Sequence, residues 1–134
     1  MEEALTTLVL GHAPLRDLVG GRVHWLRQPR DAEGFPYVNL TLVSDLHAYH
    51  MEGPSGLHRT RVQTDTWAET YGTATSVRRA LTDHLSGFRG REGAIRFQGI
   101  FVGEARDFND ETTGGERQLF RASVDLDISW NEEV

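Results

Sequence analysis

Between Leu57 and Phe88 a stretch with a side-chain period of two passes directly into one with a period of three to four, and this junction limits the possible folds tightly. In LHRTRVQTDTWA, Val62, Thr64 and Thr66 share one face while Arg59, Arg61, Gln63, Asp65 and Trp67 share the other, which is the alternation of a strand. In TYGTATSVRRALTDHLSGF, Tyr71, Ala74, Val77, Leu81, Leu85 and Phe88 recur at helical spacing and predict one buried stripe. A strand feeding a helix that folds back over the same sheet is the smallest unit able to close a core. The remaining segments read as additions to it.

Upstream, Leu5, Leu8 and Val9 lie at helical spacing behind Glu2 and Glu3, acids that favour the positive end of a helix dipole, and Gly11 ends the run. PLRDLV reads as a second short helix, with Pro14 in its first turn and Gly20 and Gly21 behind it. RVHWLR is a short strand with Val23 and Trp25 facing opposite to His24 and Leu26, and residues 28–36 are a loop rich in turn formers. YVNLTLVSDLHAYH predicts a long strand that joins the opening one through the turn MEGPSG, giving a hairpin whose distal part, 45–58, projects from the body. After the helix, SGFRGREG reads as a loop. In AIRFQGIFVGEARDF, Ile95, Phe97 and Phe101 fall on one face but Ile100 and Val102 on the other, so either both faces are covered or a bulge at Gly99 shifts the phase. DFNDETTGGE turns the chain into QLFRASVDLDISW, where Phe120, Ala122, Val124, Leu126, Ile128 and Trp130 alternate with Arg121, Ser123, Asp125, Asp127 and Ser129.

The expected fold is α+β: a single layer of mostly antiparallel sheet built from two long hairpins plus a short strand, with helices packed on one face. One domain spanning 1–134 is enough, because a chain of 134 residues buries roughly two thirds of the surface it exposes unfolded. The absence of cysteine removes disulfides and thiolate chemistry. A net charge of −6 argues against a basic nucleic-acid surface, and all 14 basic residues are arginine, a bias that GC-rich coding explains more economically than function does. No apolar run reaches the ~20 residues of a membrane span, and MEEALTTLVLGH lacks a basic leader, so the expectation is a chain that starts as written and is made in the cytoplasm.

Several constellations invite chemistry. Asp45, His47 and His50, with His58 across the turn, are zinc-ligand types, and a metal-dependent hydrolase using His47, His50 and His58 is the alternative reading. A solvated hairpin tip carrying His47, His50, Met51 and His58 is preferred, because 45 and 47 share a strand face that 50 does not. His84 reads as a residue covering the core edge. Asp107, Asn109 and Glu111 begin like a calcium loop, but Thr112 stands where glycine is needed and Gln118 where a bidentate Glu is needed. Asp125 and Asp127, with Asp65, could form a carboxylate pair for acid–base work. Arg59, Arg61 and Arg121 occupy the same type of face, so ion pairs within or between subunits are the better reading. No phosphate loop, nucleophile elbow or His-Glu zinc motif occurs, no catalytic, cofactor or metal residue is assigned, and no cofactor is expected. An RNA-binding module is the weakest alternative, for want of a basic, aromatic sheet face.

The phrases FPYVNL, MEGPSGLHRTRVQTDTWAETYGTA, VRRALTDHLSGF, and IRFQGIFVGEARDF followed by GERQLFRASVDLDISW together resemble the tail-completion, or tail-terminator, family of long-tailed phages and phage-like gene transfer agents. The likeness runs from about Leu5 to Trp130 and departs at Thr64, where relatives often carry an apolar residue. It implies a non-enzymatic virion protein at the head-proximal end of the tail. Such a protein forms a homo-oligomeric ring, typically a hexamer, ends tube polymerisation, and contacts the tail tube protein and the head–tail connector. DNA passes through its channel without specific binding. On that implication, Arg59, Arg61, Asp65, Arg121, Asp125 and Asp127 are the expected subunit or partner interface.

Overall fold

The computed structural model describes residues 1–29, 33–111 and 118–133. The elements are α1 (Glu2–Leu10), α2 (Ala13–Val19), β1 (Val23–Trp25), β2 (Tyr37–His50), β3 (Gly53–Ala68), α3 (Tyr71–Leu85), β4 (Gly90–Glu92), β5 (Ile95–Glu111) and β6 (Gln118–Glu132). This is the expected order with one addition. β4 lies in SGFRGREG, read above as a loop, and is joined to β5 by a two-residue turn in which Gly93 has a φ of 59°, the left-handed conformation such turns need. Three residues are too few to show a period. The turn expected after Asp107 falls partly outside the described residues.

The six strands stand in the order β1-β2-β3-β6-β5-β4, so the two long hairpins are joined through β3 and β6. The sheet, curled into a half-barrel, is mixed because β1 runs parallel to β2 while the other pairs are antiparallel. Strand content also exceeds that expected, and the antiparallel expectation holds only for most of the sheet. Helices and one sheet face meet in one cluster that includes Leu5, Val9, Leu15, Val38, Val62, Val77, Leu81, Leu85, Val124, Leu126 and Ile128.

Local chemistry explains each helix. Acids occupy the first turn of α1, a proline the first turn of α2, and Gly20, with a φ of 63°, ends α2. The side chain of Thr70 caps α3 by accepting from the Thr73 amide at 3.2 Å. Ala74, Val77, Leu81 and Leu85 form the buried stripe of α3. Tyr71, expected in that stripe, is half exposed instead, and its hydroxyl donates to Asp107 at 2.8 Å, beside the Arg78–Asp107 ion pair at 2.9 Å. His84 does cover the core edge: its Nε2–H donates to the Leu8 carbonyl at 2.9 Å and its ring stacks on His12 with 4.2 Å between centroids.

In the sheet, Val62, Thr64 and Thr66 are buried as the alternation requires, and the Thr64 hydroxyl is satisfied by donating to the Val124 carbonyl at 3.0 Å. The broken phase of β5 is a bulge: Phe97 pairs with Trp130 and Gly99 with Ser129, leaving Gln98 extra. Ile100 thereby turns into the core, and Phe101, grouped above with Ile95 and Phe97, faces out with 62% of its surface exposed. A second shift between Val102 and Ala105 puts Asp107 back on the helix side, where α3 holds it. No helix among the described residues is long and apolar enough to cross a membrane.

Candidate interface on the open face of the sheet

The face turned away from the helices is organised in rows across β2, β3, β6 and β5. Ser44, Arg61, Asp127 and Phe101 make one row, Asn39, Asp65, Ser123 and Arg106 a second, and Tyr37, Trp67, Arg121 and Phe108 a third. Because residues i and i+2 of a strand share a face, the expected set Arg59, Arg61, Asp65, Arg121, Asp125 and Asp127 does lie on one surface. The structure gives its members different tasks.

Asp65 is the main departure. Expected on an outward surface, it is only 8% exposed: the Ser123 hydroxyl donates a short hydrogen bond to Oδ1, and Gln63 Nε2 donates to Oδ2 at 3.1 Å. A carboxylate at the centre of a four-stranded row is shaded by its neighbours even where no helix covers it, and it is retained because its acceptors are filled. Arg121 likewise stacks, with its guanidinium 4.1 Å from the Phe108 ring centroid and 5.3 Å from that of Trp67. Asp125 is paired with Arg106 at 3.3 Å, and Arg106 also reaches Glu104. Burial raises the Tyr37 hydroxyl's pKa at the end of the third row and lowers that of His24, whose ring lies 6.1 Å from Tyr37.

The exposed part of the face lies at the other end. Arg61 Nε and Asp127 Oδ1 form a 3.2 Å pair with each side chain about half exposed, 53% and 51%. Around them Ser44, Leu46, Arg59, Phe101 and Ser129 border a shallow hollow, with Leu46 and Phe101 bare. An apolar centre edged by two arginines and a carboxylate has the composition of a protein–protein contact. The sequence does not announce the exposure of Phe101 and Leu46, because it depends on bulges in β5 and β2. Gly99 was the one visible signal: a Cβ there would stand 3.0 Å from the Phe101 ring.

The hairpin holds a second group. An extra residue between Leu42 and Ser44 shifts the phase of β2, so that Asp45 lies opposite Thr60 and His47 opposite His58. His58 Nδ1 sits 3.2 Å from Asp45 Oδ1, and His47 Nε2 sits 3.2 Å from Asp45 Oδ2. His50 is not among them; its Nδ1 accepts from the Glu52 amide at 3.2 Å, which removes a ligand from the hydrolase set of His47, His50 and His58. Met51, at the turn, is fully exposed. Burial alone would push the Asp45 carboxyl up, but hydrogen bonds from Thr60 and His58 and the two imidazoles together hold its pKa below the ordinary value. In the acidic segment read against a calcium loop, Asp107 is engaged by Arg78 and Tyr71, and the side chains of 109–111 lie outside the described residues.

A family model described as "Tail completion protein gp17" matches residues 3–130. No curated protein matches. Among solved structures, a chain from the "Virion of native gene transfer agent (GTA) particle" superposes with a TM-score of 0.68 at 19% identity, over 96% of this chain and 94% of that chain. A second solved chain fits less closely, with a TM-score of 0.43 at 12% identity over 96% and 95% of the two chains.

Proposed function

The chain belongs to the tail completion protein gp17 family, and from that premise we propose that it is a structural subunit of a phage-like particle, placed at the head-proximal end of the tail. In this reading copies assemble into a ring, most simply a hexamer, that caps the tail tube, ends its growth and joins it to the head connector. The observation that carries the reading is the match over residues 3–130, which takes in every secondary-structure element rather than one motif. The open sheet face supports it: Leu46 and Phe101 stand bare beside Arg59 and the Arg61–Asp127 pair, as a contact between subunits requires.

Electrostatics fit a conduit better than a nucleic-acid binder. Six chains of −6 sum to −36, and such an assembly repels phosphate, so DNA slides past it. Light scattering on the purified protein, alone and mixed with isolated tail tubes, tests the assembly. A ring of six in either sample is the expected result, seen at tube ends by electron microscopy. A chain that stays monomeric and ignores tubes refutes the reading.

A further inference from the structure

We propose that Asp45, His47 and His58 form a binding site for a divalent transition ion of the zinc type, which staples β2 to β3 in the hairpin. The donor set is two imidazoles and one carboxylate, the ligand chemistry zinc prefers. Their ligand atoms lie within 4.8 Å of one another, with His47 Nε2 and His58 Nδ1 each 3.2 Å from the same oxygen, Asp45 Oδ2. A tetrahedron with metal–ligand bonds of about 2.0–2.2 Å has edges of roughly 3.3–3.6 Å, so two of the three edges already stand within about 0.1–0.4 Å of that length. A small rotation of His47, which is 53% exposed, closes the third.

The surroundings are built as metal sites require. Trp130 Nε1 donates to Thr60 Oγ1 at 2.8 Å, and Thr60 Oγ1 donates to Asp45 Oδ1 at 2.8 Å, so β6 fixes the carboxylate through a two-step chain. The His58 ring stacks on Trp130 with 4.0 Å between centroids and 15° between planes, which fixes the imidazole. One carboxylate needs only one imidazole for an ion pair. Here a second imidazole brings a ring nitrogen to the same carboxylate, and the phase shift of β2 is what delivers it. The exposed side of His47 leaves a fourth position open to water. Such a staple ties together the part of the hairpin that β1, paired only with residues 38–40 of β2, does not reach.

The inference is independent of ring formation and of the family, and its test reads metal directly. Untagged protein stripped with a chelator is titrated with zinc by calorimetry, and its melting temperature is followed with and without the ion. One zinc per chain is expected, with a rise in melting temperature. His47→Ala and His58→Ala should each lose at least about 100-fold in affinity and abolish the thermal shift, and Thr60→Val, which unseats Asp45 and takes the acceptor from the Trp130 indole that backs His58, should lose ~10-fold or more. His50→Ala and His12→Ala should bind as the parent does. His47 is exposed enough that its variant folds even if His58→Ala does not. A parent chain that takes up no zinc overturns the proposal, as does uptake that His47→Ala leaves unchanged.

Discussion

His24 shows how much of a residue's role depends on its cross-strand neighbours. It sits on β1 beside Asn39 and near the Tyr37 ring, and its buried Nε2 has no hydrogen-bond partner among the described residues. Burial lowers its pKa from the ordinary 6.5, so the unfolded chain takes up this proton at a higher pH than the folded chain does. Between the two pKa values the unfolded state holds more protons, and stability therefore falls as pH drops through about 6.5 and levels off below the folded pKa. Urea midpoints at about pH 7.5 and about pH 5.5 should move further apart in the parent than in His24→Gln. Equal shifts in the two would show that His24 titrates freely. The alternation RVHWLR told which way His24 points; its burial was not readable, because the rings of Tyr37 and its neighbours come from a strand beyond a loop. The same limit hid the burial of Asp65. Its face was correctly read from the period of two, but the Ser123 that fills its acceptor lies 58 positions away.

At the scale of elements, periodicity served where elements were long. β6 alternates without interruption, and Ala122, Val124, Leu126 and Ile128 are buried as read; α3 keeps its stripe from Ala74 onward. Irregular elements were only half legible. The two-faced pattern around Gly99 allowed a bulge, and a bulge is present, but nothing in SDLHAYH announced the shift that brings Asp45 and His47 opposite Thr60 and His58. The parallel pairing of β1 was equally hidden, since three residues carry no register. The helix–sheet contact is the strongest element-level expectation. Leu81, 2% exposed, stands in the middle of α3 against the sheet, so Leu81→Ala removes buried methyl groups and leaves a cavity in a core that relaxes only partly. A loss of about 2–5 kcal/mol in chemical denaturation is expected. Less than about 1 kcal/mol would mean that α3 is held by its cap and the Asp107 clamp rather than by packing.

For the whole molecule, the question is whether the open face serves the fold or the assembly. The family was legible because its phrases cover nearly the full chain, whereas the arrangement of copies is set by surfaces that one subunit leaves uncovered. Arg61 separates the two roles. Its pair with Asp127 is half exposed on both sides, and such pairs contribute at most about 1 kcal/mol to a monomer, so Arg61→Glu costs the isolated fold little. At an interface the same change places two like charges side by side in a contact being desolvated, which is far more costly. Phe101→Asp puts a charge on the bare apolar centre of the same hollow and should act in the same direction. Both variants should therefore run as monomers at concentrations where the parent forms the proposed ring, with circular dichroism and melting temperature close to the parent's. If helix content and assembly fall together, Arg61 belongs to the fold. Should both variants still form rings, the subunit contact lies elsewhere, and the hollow bordered by Leu46 and Phe101 is left to face the tube or the connector.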